Sequence, residues 1–121
     1  MAEHMLEPGP KHPITVEISD KTVRVTAGGA VIAESVRALV MREADYPPVY
    51  YIPRDDVDMT ALTANSHTSY CPFKGEASYF SLVGADGENA VWSYEDPYPA
   101  VRDIKDCLAF YPSRVDAIEV S

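Results

Sequence analysis

The sequence predicts a mainly β protein, a single small domain of about eight short strands with one or two short helices. Short stretches alternate apolar and polar residues with a period of two, as a half-buried strand requires. Glycine, proline and aspartate fall between those stretches, where tight turns need them. The 121 residues, 46% of them apolar, suit one domain that buries most of its hydrophobic surface.

Residues 1–13, "MAEHMLEPGPKHP", carry three prolines and few apolar side chains, and are expected to form a flexible leader. The domain proper is placed at 14–121. "ITVEIS" sets Ile14, Val16 and Ile18 against Thr15, Glu17 and Ser19, which predicts a strand. "TVRVTA" and "AVIAES" follow as two more strands, joined at Gly28-Gly29. "SVRALVMREAD" fits both a helix, by its good helix formers, and a strand, by β-branched Val36 and Val40. Pro47 and Pro48 bar a helix interior, so Val49 to Ile52 is a strand stopped by Pro53. Asp55 or Asp56 is expected to cap a short helix over "VDMTALTAN", ended by Asn65 and Ser66. An irregular approach then leads to a strand at "EASYFSLV". Gly84 to Gly87 is read as a hairpin connection to a strand at "ENAVWSYE". A proline-interrupted stretch with a short helix, "PYPAVRDIKDC", precedes closing strands at "LAFYP" and "RVDAIEVS", in which Val115, Ala117 and Ile118 supply core contacts.

The formal net charge of −9 is spread along the chain. It argues against a nucleic-acid partner, which would need a basic face. No apolar run approaches the roughly 20 residues that cross a bilayer, and no signal segment is apparent, so no membrane partner and a cytoplasmic location are expected. Cys71 and Cys107 read as reduced thiols. No CxxC pair is present, and no metal site and no zinc are expected; the cofactor is unknown. Glycine-rich phosphate loops, GxSxG and HExxH are also absent.

"HTSYCPFKGEASYF", His67 to Phe80, holds the densest chemistry. His67 and Cys71 are candidate catalytic residues, but a nucleophile pair needs contact within about 3 Å, and Pro72 opposes the helix that would bring them together. The preferred reading of Cys71 is a small packed side chain. Lys74 before Gly75 points to an anion corner: lysine supplies a point charge, and glycine permits a turn closed to other residues. Tyrosine occurs eight times, and Tyr51, Tyr94, Trp92 and Arg54 are candidates to line a pocket for a planar polar ligand. Glu34, with Glu95, is a further acid–base candidate.

Four stretches together resemble a known family: "VIAESVRALV", "PPVYYIPRDDVDMTAL", "SHTSYCPFKGEASYFSLV" and "NAVWSYEDPYPAVRDIKDCLAFYPSRVD". They are similar to the bacterial family catalogued as domain of unknown function 427, over about residues 14–120. The resemblance implies a compact, mainly β fold like the Mss4-like or β-tent arrangement, without its zinc site because the paired cysteine motifs are missing. The family is sometimes labelled nucleotidyltransferase-like, yet this chain lacks the paired aspartates near a Gly-Ser motif that such transferases use. The family-typical polar positions fall on Glu34, Tyr51, Arg54, His67, Cys71, Lys74, Gly75, Trp92, Tyr94 and Tyr111. The pattern "AESxRALxMxE" favours extended chain over part of 35–44 and implies that Arg37 lies near the same site.

Three functions are consistent with these residues. The first is a domain binding a small polar or anionic ligand, with Lys74 and Arg54 converging on an aromatic pocket. The second is a small enzyme using His67 and Cys71. The third is a structural or protein-interaction domain, monomeric or homodimeric.

Overall fold

A computed structural model describes residues 4–84 and 87–121. Among them, ten strands form three antiparallel sheets. The strands are β1 (Ile14–Ile18), β2 (Val23–Ala27), β3 (Ala30–Ser35), β4 (Leu39–Glu43), β5 (Val49–Tyr51), β6 (Leu62–Cys71), β7 (Gly75–Leu82), β8 (Val91–Ser93), β9 (Ala109–Phe110) and β10 (Ala117–Val120). One sheet runs β1-β4-β5, the second β10-β2-β3, and the third β6-β7-β8-β9. The remaining regular structure is four short 3₁₀ stretches. No helix among the described residues is long and apolar enough to cross a membrane.

Side-chain alternation gives the third sheet a core on each face. On β7, Ala77 and Tyr79 face one way, while Phe80 and Leu82 face the other. Phe80, Leu82, Val91 and Phe110 pack with Val23 and Val25 of β2 and Ile32 of β3. Ala77, Tyr79 and Ala109 pack instead with Met41 of β4, Tyr51 of β5 and buried Val101 and Ile104. β5 alternates in the same way, with Tyr50 and Ile52 toward the first core and Tyr51 toward the second. A single bridge between Ile52 and Leu108 joins β5 to the chain just before β9.

One open alternative is settled, and several expectations need correction. The segment 35–44 resolves as a strand over Leu39–Glu43, paired with β1 from Ile14↔Glu43 to Ile18↔Leu39. The helix expected over "VDMTALTAN" is only a 3₁₀ turn at Met59–Ala61, capped where the Asp58 side chain accepts from Thr60 N at 3.1 Å. Leu62 then opens β6, and Asn65 and Ser66 lie inside that strand instead of ending a helix. Pairing with β7 supplies hydrogen bonds and packing that local helix propensity does not match. The irregular approach at 67–71 is likewise strand. Near the C-terminus, Pro112–Arg114 is a 3₁₀ turn and the final strand starts at Ala117. The Gly84–Gly87 hairpin includes Ala85 and Asp86, which lie outside the described residues, as do Met1 to Glu3. Residues 4–13 run against the β6–β7 hairpin: Leu6 N donates to Pro72 O at 2.8 Å, and the His12 ring stacks on Phe73 at 4.1 Å.

Candidate functional site

Lys74 owes its position to a tight turn between two long strands. Lys74 N donates to Cys71 O at 3.1 Å, closing Cys71-Pro72-Phe73-Lys74, and Tyr98 N donates to Lys74 O at 3.0 Å. Gly75 then enters β7 at φ +108°, in the left-handed half of the map that side chains other than glycine's avoid. Its role is conformational, because it turns the chain back and leaves the Lys74 side chain aimed at β4. There Lys74 Nζ hydrogen-bonds Glu43 Oε1. The other Glu43 oxygen meets His12 Nε2 at 2.7 Å. The Lys74 and Glu43 side chains are only 14% and 13% exposed. Burial alone would push the Glu43 carboxyl up, but the hydrogen bonds and charges of Lys74 and His12 outweigh it and hold the group below its ordinary range.

This ion pair opens onto a cavity of about 200 Å³ lined by Tyr46, Tyr51, Tyr79, Tyr94, Tyr111 and Trp92, with Met41, Pro47 and Val49. The Trp92 indole N–H donates to the Tyr51 hydroxyl at 3.2 Å, and the Trp92 and Tyr111 rings lie 4.4 Å apart. Burial raises the Tyr51 and Tyr94 phenols well above their usual range. Burial first, and the Tyr79 hydroxyl second, push Tyr111 up to about 12. Raised in this way, all three phenols keep an O–H that can donate. Tyr51 accepts from Trp92 and keeps its own hydrogen to donate. Among the described residues, the Tyr94 hydroxyl takes part in no hydrogen bond.

The structure thus brings together Lys74, Tyr51, Trp92, Tyr94 and Tyr111, with Gly75 setting the turn behind them. It separates Arg54 from them. The pairs Ser78↔Ser93, Tyr79↔Trp92 and Phe80↔Val91 place Tyr79 and Trp92 on one face of the third sheet, and Phe80 and Ser93 on the other. Arg54 lies over the Phe80 ring at 5.6 Å and bonds Ser93 Oγ at 3.2 Å, Asp106 O at 3.0 Å and Glu95 at 3.4 Å. It occupies the face away from Lys74, so the expected convergence of the two cations does not occur. Arg37 grips Asp56 at 3.0 and 3.3 Å, and Glu34 pairs with Arg24 at 3.2 Å, both at exposed positions outside the cavity. The Glu34–Glu95 pairing does not form either, since Glu95 is bound to Arg54.

His67 lies on β6 with its ring edge-on to Tyr79 at 4.6 Å. Cys71 is half-buried at the end of the same strand. They stand four positions apart on the strand, a span of about 13 Å in extended chain and well outside hydrogen-bond reach. Cys107 is buried, and burial raises its thiol, which disfavours the nucleophilic thiolate. Among the described residues, no three His, Cys, Asp or Glu side chains converge as metal ligands.

Two members of the site were not singled out from sequence. Glu43 is the last letter of "AESxRALxMxE", and strand alternation from Met41 would have turned it inward. His12 falls in the segment that the sequence predicts to be a flexible leader, and only the fold places it beside Glu43.

The sequence pattern of a family described as a domain of unknown function (DUF427) matches residues 15–121. The chain belongs to that family. No curated protein matches it. Every lining residue of the cavity falls inside the matched region, whereas His12 precedes it.

Proposed function

We propose that this DUF427 domain binds a small polar or anionic molecule in the tyrosine-lined cavity, with Lys74, Tyr51 and Tyr94 as its donors. One observation carries the reading: a largely buried Lys74–Glu43 pair opens directly onto that cavity. Removing two charges from water is costly, and apolar residues of similar size commonly stabilise a fold as well or better. An ion pair kept at a cavity wall is therefore better explained by recognition than by stability. The donors complement an oxygen-rich group: Lys74 has three N–H bonds and spends one on Glu43. The volume of about 200 Å³ lies below the range of about 300–1,000 Å³ for drug-sized ligands. A compact molecule fits that space better than a nucleotide.

A thermal-shift screen of short carboxylates, dicarboxylates, sugar phosphates and nucleotides tests this, with the fluorescence of Trp92, the single tryptophan, as a local reporter. A ligand at a hundredfold excess over its Kd should add about 2.7 kcal/mol of stability. It should also change Trp92 emission saturably. Tyr94→Phe should weaken binding about tenfold, as loss of one hydrogen bond of about 1–1.5 kcal/mol implies. A panel that leaves both signals flat, or a hit bound equally by Tyr94→Phe and Lys74→Met, contradicts the proposal.

A further inference from the structure

A second cavity lies next to the first, at a seam between sheets. Antiparallel continuation of the Ile52–Leu108 bridge would set Tyr50 opposite Phe110 and Pro48 opposite Pro112. No such ladder forms among the described residues, and β5 and β9 are not paired. Pro47, Pro48 and Pro112 have no N–H with which to extend it. On the far side of this gap is a cavity of about 300 Å³ with largely hydrocarbon walls, including Val25, Ile52, Phe110, Ile118 and Val120. Val49 and Trp92 line both cavities. Pro47 borders the tyrosine cavity and Pro48 the apolar one, and Tyr111 and Pro112 divide in the same way. Val49 and Trp92 are therefore the side chains at which the two cavities meet where the strands part.

Resting on the ligand-binding reading above, we infer that the bound molecule is an amphipathic carboxylate. Its head lies among Tyr51, Tyr94 and Lys74, and its short hydrocarbon tail passes Trp92 into the apolar cavity. The head assignment follows from donor count: all three groups offer hydrogens, and a carboxylate accepts several at once. The tail assignment follows from the neighbouring walls, whose hydrocarbon is complementary to alkyl or aryl carbon alone. The two volumes together fall within the usual range for small-molecule sites. The tyrosine cavity alone does not.

Straight-chain carboxylates from acetate to octanoate, titrated by calorimetry against the full chain, test the inference, with the matching primary amides as uncharged controls. Affinity should rise about fourfold per added methylene and then level off once the apolar cavity is filled. Val120→Phe narrows that cavity at a partly exposed position and should flatten the series. If acetate and hexanoate bind equally, or Val120→Phe leaves the slope unchanged, the tail is wrong while the cavity remains a ligand site. If neither carboxylates nor amides bind at any length, the inference fails, while the reading of the tyrosine cavity fails only if sugar phosphates and nucleotides also leave stability and Trp92 emission unchanged.

Discussion

Glu43 is the residue on which the cavity's electrostatics turn. Its carboxylate is held ionised by Lys74 on one oxygen and His12 on the other. Its folded value lies below the unfolded one, so the unfolded chain binds more protons between the two. The stabilisation is complete above the ordinary carboxylate range and is lost as pH falls through the lowered folded value. Denaturant melts across the acid range should therefore show stability rising with pH there, and Glu43→Gln should flatten part of that rise. Removing Lys74 alone leaves a buried carboxylate supported only by His12. Lys74→Met should cost about 2–4 kcal/mol, and the double variant with Glu43→Gln should cost less than Lys74→Met alone. A double variant at least as unstable as the single one would show that the pair is not the source of the penalty. Sequence reasoning reached Lys74, Tyr51, Trp92 and Tyr94 because lysine before glycine and tyrosine beside proline are local signals. It missed Glu43 and His12 because charge pairing between β4, a distant hairpin and the N-terminal segment has no local signature. It grouped Arg54 with Lys74 for the same reason: which face of a sheet a loop arginine reaches is decided by register, not by its neighbours in the chain.

At the scale of elements, the β6–β7 hairpin delivers the chemistry. The turn is closed by the Lys74 N to Cys71 O bond and completed by Gly75 at φ +108°. Gly75→Ala should destabilise by about 1–3 kcal/mol through backbone strain, measurable as a lower midpoint of urea unfolding. The construction of the site also predicts weaker ligand binding by that variant, because Lys74 moves with the turn. A Gly75→Ala protein with unchanged stability would place the strain elsewhere. The short strands β1 to β3 were legible from alternation and glycine turns. The helix expected across 57–65 was not realised, because "VDMTALTAN" carries helix-compatible residues while its Leu62 to Ala64 portion pairs with Leu82 to Phe80. Nonlocal pairing of this kind is invisible to propensity.

The whole molecule is a mainly β domain with cores on both faces of one four-stranded sheet, and the candidate site sits where that sheet parts from β5. Leu108, fully buried beside the single bridge to Ile52, anchors this seam. Leu108→Ala should cost about 2–5 kcal/mol and loosen both cavities together. A cost well under 1 kcal/mol in urea melts would show that the seam does not depend on it. The fold class was readable from composition and periodicity. The division into two cores was not, since it rests on which face each residue of β5, β7 and β8 presents once the sheets are assembled.

A short-chain carboxylate such as hexanoate should seat its head in the cavity framed by Glu43, Tyr51, Lys74 and Tyr94. Backbone amide chemical-shift mapping by NMR, during titration with hexanoate, tests it most directly. Saturable shifts should cluster at residues 41–51, 74–79, 92–94 and 111 around the head, and at Val25, Phe110 and Ile118 around the tail. Shifts confined to the Arg37–Asp56 or Arg54–Glu95 surfaces, or no saturable shifts with any carboxylate or amide of the series, would contradict it.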